Sequence, residues 1–207
     1  MSQSIRHYLD QCALVAIIRG VTPDEAEVIG AAIFDAGIRI IEVPLNSPEP
    51  LASIGRLAAS FGDRALIGAG TVLDPAQVAE VQRAGGRLIV SPNTNVPVIE
   101  ATVAAGLVSA PGYFTPSDAF AALEAGAHAL KFFPAEGASP AVLKAQRAVF
   151  PKDTPVIVVG GIKPDNMQPW IAAGADGFGL GSGLYAPGRS AAETGELARA
   201  YVAGLRG

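Results

Sequence analysis

One lysine stands alone in an otherwise apolar run, Ala127-His128-Ala129-Leu130-Lys131-Phe132-Phe133-Pro134. Two readings of it are open. Lys131 either lays its stem along the apolar surface and keeps its ammonium in water, or it is held in a dry pocket where desolvation disfavours the charged form and yields a nucleophilic amine. Glu42 interrupts Ile40-Ile41-Glu42-Val43 in the same way. As structure alone the two would be a buried ion pair, which seldom adds net stability over well-packed hydrophobic residues. As chemistry they are a nucleophile and a proton carrier, the parts that imine formation on a carbonyl requires. Metal chemistry has less to build on: His7 and His128 are far apart in sequence, Cys12 is the single cysteine, and no HxxxH or CxxC spacing occurs. We therefore expect no metal and no cofactor, with a lysine iminium as the electron sink.

The elements that position these residues follow a regular plan. Short β-branched apolar runs alternate with longer alanine-rich segments of helical period, the signature of repeated βαβ units. Strands are predicted near 14–18, 38–43, 66–68, 88–90, 107–109, 129–132, 156–159 and 177–180. Helices are predicted near 24–36, 50–60, 75–84, 96–105, 116–125, 140–150, 164–173 and 191–205, after a short N-terminal helix with His7 on its surface. Thr22-Pro23, Asp74-Pro75, Thr115-Pro116 and Lys163-Pro164 put proline in a first turn, where its missing N–H costs nothing. Ala-Gly pairs ending at Gly37, Gly85, Gly106, Gly126 and Gly174 close five helices with a cap that glycine reaches cheaply. Eight strands and eight helices in strict alternation predict an α/β fold, a compact (β/α)8 barrel forming a single domain over residues 1–207. An open doubly wound sheet is the competing architecture, but Arg19-Gly20-Val21-Thr22 after the first strand lacks a GxGxxG fingerprint.

In such barrels the chemistry sits on the loops at the carboxyl ends of the strands. There the first strand ends in Arg19, the second in Glu42, the third in Gly68-Ala69-Gly70-Thr71 and the sixth in Lys131. The seventh ends in Gly160-Gly161 and the eighth in Gly181-Ser182. Backbone N–H groups at these glycines, with the Ser182 hydroxyl, can ring a phosphate, although either pair alone would serve equally as a tight turn. Lys163 is a further candidate contact, while Lys144 and Lys152 read as solvated and His128 falls at the opposite end of the barrel. With 50% hydrophobic residues the 207-residue chain is too apolar to be disordered. Apolar runs such as Cys12 to Ile18 are too short to span a membrane. A net charge of −4 without a basic stripe argues against nucleic acid. Residues 1–11 lack a secretory h-region, so a cytoplasmic protein is expected, with Cys12 as a buried structural thiol.

Order and spacing carry a family resemblance. "IEVPLNSP" around Glu42, "IGAGTV" (67–72), "SPN" (91–93), "PG" (111–112), "LKFFPAE" (130–136), "VVGGI" (158–162) and "GADGFGLGSGLY" (174–185) resemble the class I aldolases of 2-keto-3-deoxy-6-phospho sugar acids over nearly the whole chain. The resemblance implies a TIM barrel, a homotrimer, and cleavage of a phosphorylated keto acid to pyruvate and D-glyceraldehyde 3-phosphate through a lysine Schiff base. Gluconate-type members look like "EVTLRT" after the second strand and "TGG" after the seventh. Here Glu42-Val43-Pro44-Leu45-Asn46-Ser47 and Val159-Gly160-Gly161 are similar to the galactonate type. On that likeness Lys131 forms the imine and Glu42 moves protons. Asn46 stands where the gluconate type has an arginine for the carboxylate, which leaves Arg19 and Thr71 for that task. Gly160, Gly161, Gly181 and Ser182 would hold the phosphate, and Val159 would remove a hydrogen-bond partner near C4, where the two substrates differ. Three other readings compete: the gluconate epimer as substrate, an isomerase or decarboxylase that forms no covalent intermediate, and a silent barrel that binds a sugar phosphate as a sensor. A pure binder has no need of a desolvated amine, which speaks against the last.

Overall fold

The computed structural model describes residues 4–206. Helix α1 (Ile5–Gln11) precedes nine strands: β1 (Leu14–Ile17), β2 (Ile40–Pro44), β3 (Leu66–Gly70), β4 (Leu88–Val90), β5 (Val108–Ala110), β6 (Gly112–Tyr113), β7 (Leu130–Phe132), β8 (Val156–Val159) and β9 (Gly177–Leu180). Helices α2 (Pro23–Asp35), α3 (Pro50–Phe61), α4 (Pro75–Arg83), α5 (Val96–Ala104), α6 (Pro116–Glu124), α7 (Pro140–Arg147), α8 (Gln168–Ala172) and α9 (Ala191–Gly204) connect and cover them. The strands are parallel, in the order β5-β4-β3-β2-β1-β9-β8-β7-β6. Only Pro111 separates β5 from β6, and proline has no N–H to give to a ladder. The His128 and Ala129 N–H groups donate to the Ser109 carbonyl at 2.9 and 3.2 Å, and the Lys131 N–H donates to the Pro111 carbonyl at 2.9 Å. The two pieces are thus one strand paired on both sides, and the sheet closes into a (β/α)8 barrel.

Side chains alternate across a strand, so each strand feeds two cores. Ile41 and Val43 pack outward against the helices, whereas Ile40 joins an inner cluster with Val15, Ile17, Leu66, Ile157 and Val159. Glu42 therefore shares the inner face with Ile40. By the same parity Leu130 and Phe132 face outward and Ala129 inward, which turns Lys131 into the barrel. The inner row of β3 beyond Leu66 is Gly68 and Gly70, and that of β9 is Gly177 and Gly179. The barrel is narrow, and glycine on these rows leaves room for the longer polar side chains facing them.

At the amino ends of the strands, Ile5, Tyr8 and Leu9 of α1 join the inner cluster and plug the barrel. Cys12 is buried between α1 and β1, and burial pushes its thiol up. The five Ala-Gly caps all end in a left-handed glycine, from φ +70° at Gly106 to +112° at Gly37. At Asp74, Thr115 and Ser190 the N-cap side chain accepts from the first turn while the residue three on reaches back. One helix starts later than expected. The Lys163 N–H donates to Asn166 Oδ1 and Asn166 Nδ2 donates to the Gly161 carbonyl, both at 2.9 Å. An asparagine-keyed turn thus replaces the first helical turn predicted at Pro164, and α8 begins at Gln168.

Candidate active site

The strand carboxyl ends surround a cleft of about 510 Å³. Eight of the nine expected site residues line it: Arg19 after β1, Thr71 after β3, Lys131 on β7, Val159 with Gly160 and Gly161 at the end of β8, and Gly181 with Ser182 after β9. The ninth, Glu42, lies beneath. It borders a small inner cavity of about 20 Å³ that Lys131 and Val159 share with the cleft above.

Glu42 is 2% and Lys131 9% exposed, so the lysine is largely buried and meets solvent only through the cleft it lines. Nor do the two form a close ion pair: among the described residues, none of the salt bridges within 4.0 Å involves either. Glu42 Oε2 has no hydrogen-bond partner, and Lys131 Nζ sits 4.9 Å from the centre of the Phe133 ring. Burial pushes the Glu42 carboxyl up to about 7, against the opposing pull of the Lys131 and Arg19 cations. Burial drives the Lys131 ammonium below its ordinary value, Glu42 resists, and Arg19 adds to the depression. The two groups move toward each other, which is what a neutral amine beside a carboxyl able to give or take a proton near neutrality requires.

The neighbouring backbone makes this possible. A Cβ on Gly70 would come 1.7 Å from Glu42 Oε2, so glycine at this point of β3 leaves the space that the carboxylate occupies. Thr71 follows at φ +56°, a left-handed conformation that is costly for a β-branched residue and that clusters at functional sites. Arg19 donates to Asn46 Oδ1, and the Gly20 N–H donates to Ser47 Oγ at 2.9 Å. At the other side of the cleft Gly160 and Gly161 adopt φ +115° and +64°, and Arg189 donates to the Ser182 carbonyl at 3.0 Å, fixing the turn after β9.

Glu136 and Phe133 also line the cleft, and so does Lys163. The sequence does not single out Glu136. Its carboxylate lies so close over the β8 turn that a Cβ on Gly160 would come 1.9 Å from Oε2. Only the left-handed glycine pair admits it, and nothing local to "PAE" signals a contact with a loop 24 residues away. Among the described residues no three His, Cys, Asp or Glu side chains gather as metal ligands would.

A largely buried amine lining a cleft with a glycine-lined rim, above a buried carboxyl that forms no salt bridge with it, is equipment for imine chemistry on an anionic carbonyl compound. The family model for KDPG and KHG aldolase matches residues 5–199. The chain belongs to this aldolase family. It is 49% identical to the 2-dehydro-3-deoxy-6-phosphogalactonate aldolase of Escherichia coli K12, over 93% of this chain and 94% of that one. A solved structure described as native KDPGal superposes with a TM-score of 0.92 at 49% identity, covering 93% of this chain and 94% of that chain. A KDPG aldolase from Legionella pneumophila, solved with pyruvate captured at low pH as a covalent carbinolamine, is 27% identical with a TM-score of 0.84, over 98% of this chain and all of that one. The aldolase family thus matches the barrel from α1 into α9.

Proposed function

We propose that this aldolase reversibly cleaves 2-dehydro-3-deoxy-6-phosphogalactonate to pyruvate and D-glyceraldehyde 3-phosphate through an imine on Lys131. The observation that carries the reading is the inward pair of Lys131 and Glu42, desolvated and unpaired, beneath a cleft with Arg19 and Thr71 on one side and the β8 and β9 glycines on the other. Neutral Lys131 attacks the C2 ketone and water leaves, giving a protonated iminium. Glu42 takes the proton of the C4 hydroxyl, the C3–C4 electrons flow into the iminium, and the aldehyde departs. The remaining enamine is protonated at C3, and water releases pyruvate and restores the amine. Arg19 and Thr71 hold the carboxylate while Gly160, Gly161, Gly181 and Ser182 hold the phosphate, which fixes the C3–C4 bond between two anchors. Val159 presents an apolar wall near C4.

The galactonate epimer is favoured over the gluconate one by Val159 and Asn46 and by the 49% identity to the galactonate-type relative. We infer a cytoplasmic homotrimer. Exposed Phe114, Phe120, Val142 and Val149 around α6 and α7 offer an apolar face for self-association, and no described helix is long and apolar enough to cross a membrane. Supplying each 6-phosphate epimer separately and measuring pyruvate release tests the substrate. Preference for the gluconate epimer would overturn the assignment while leaving the aldolase chemistry intact.

A further inference from the structure

Arg19 is the cation at the carboxylate side of the cleft, yet its side chain is long, exposed and rotamer-rich, and an unanchored arginine samples many orientations. The loop after β2 supplies the missing constraint. Ser47 is buried and its Oγ accepts from the Gly20 N–H at 2.9 Å, and the Ile18 N–H donates to the Glu42 carbonyl at 3.1 Å. These bonds hold the main chain on both sides of Arg19. The guanidinium itself donates to Asn46 Oδ1. One turn is thus gripped at backbone and side chain by β2 and the loop that follows it.

We propose that Asn46 is a positioning residue: its amide carbonyl aims the Arg19 guanidinium across the mouth so that the remaining N–H groups meet the substrate carboxylate. The inference rests on the function proposed above. The residue type matters. A guanidinium has five N–H donors, and a single bond to Asn46 leaves four for the ligand. A carboxylate at position 46 would hold the arginine more strongly but would cancel the charge the substrate needs. An amide orients without neutralising. Asn46 does not line the cleft itself, so it acts through Arg19 rather than on the substrate. The charge it aims also acts on Glu42 and Lys131, lowering the proton affinity of both.

The test uses pyruvate alone, which makes it independent of which phosphorylated epimer is cleaved: borohydride trapping on the full-length protein is measured against pyruvate concentration. Half-maximal trapping should need about 10-fold more pyruvate in Asn46→Ala and about 100-fold more in Arg19→Ala, the scale of losing one charge-assisted bond and then the whole fork. The double variant should be no worse than Arg19→Ala, because Asn46 has nothing left to aim. Asn46→Asp adds a readout that a structural role would not move: its pyruvate affinity should recover as pH falls and the new carboxyl protonates, while the parent shows no such recovery. Independent, multiplying losses in the double variant, or a pH-flat Asn46→Asp, overturns the inference. If pyruvate leaves no adduct on Lys131 even in the parent, the imine mechanism itself has failed and the positioning role falls with it.

Discussion

At the floor of the barrel Arg87 donates to the Asp63 carboxylate at 2.8 Å and to the Gly62 and Ala65 carbonyls at 2.9 and 2.7 Å. Asp176 there accepts from Arg6 at 2.9 Å and from the Val156 N–H at 2.8 Å. At the mouth, Glu42 and Lys131 are more deeply buried than these groups, yet among the described residues they lack an ion-pair partner and Glu42 Oε2 lacks any hydrogen bond. A buried charge without a partner costs free energy that a packed apolar side chain would not. The floor spends its polar residues on holding α1 and the strand starts together, whereas the mouth keeps a destabilising pair whose use is chemical. That contrast can be broken at either end.

The largest effect is expected at Lys131. Lys131→Ala should lose both the pyruvate adduct and cleavage, because no other lysine among the described residues shares its inward, apolar position. Mass spectrometry of the reduced adduct locates it, and an adduct on Lys163 would show that the wrong lysine has been assigned.

Glu42→Gln should lower kcat about 10²–10⁴-fold, the range for a positioned acid–base group, with much less change in substrate affinity. A variant that binds poorly but turns over normally would make Glu42 a binding residue. The pH dependence gives a second reading. With the folded-state carboxyl near 7 and its ordinary value 4.5, cleavage by the parent should fall as pH drops below about 7, and this limb should vanish in Glu42→Gln. Stability follows the linkage. Because the folded-state value is raised, the native state keeps a proton that the unfolded chain has released, so Glu42 is best tolerated below 4.5 and stability is lost as pH rises toward 7. Thermal melts at pH 5 and pH 8 should show Glu42→Gln gaining relative to the parent at the higher pH, by on the order of 1–3 kcal/mol.

The floor should behave in the opposite sense. Asp176→Ala removes the acceptor for the Val156 N–H and the partner of Arg6, so urea unfolding should show a loss of about 2–4 kcal/mol. Its kcat and KM well below the melting temperature should stay within about twofold of the parent, as expected of a change remote from the reacting atoms. A large fall in kcat would mean that the two ends are coupled.

What the sequence makes legible here is what is local. Helix caps, the alternation of strand and helix, and the intrusion of Lys131 and Glu42 into apolar runs can all be read within a few residues. The barrel mouth follows from one rule applied to the strand ends. What stays hidden depends on residues far apart in the chain meeting side chain to side chain. Asn46 is read in the sequence as a missing arginine, and only the fold shows it bonded to Arg19, 27 residues away. Glu136 reaches the β8 turn only because Gly160 and Gly161 lack a Cβ. Pro111 splits a strand without opening the barrel because its carbonyl still accepts from Lys131. The helix predicted from Pro164 loses its first turn because Asn166 offers its neighbours a competing turn.

The smallest expected effect concerns stereochemical choice at Val159, the last inward residue of β8, which borders both the cleft and the inner cavity. An apolar wall discriminates modestly between epimers, whereas a site that hydrogen-bonds one hydroxyl discriminates against a substrate that places it elsewhere. The unmodified enzyme should therefore prefer the galactonate-type acid and still cleave the gluconate-type epimer measurably. Val159→Thr keeps the branched shape and adds one hydroxyl at this wall. If that hydroxyl meets the C4 oxygen of the gluconate epimer, the ratio of the two kcat/KM values should move toward that epimer by about 1–3 kcal/mol, roughly 5- to 150-fold. A ratio that does not move, with cleavage otherwise intact, would place C4 recognition on another wall of the cleft.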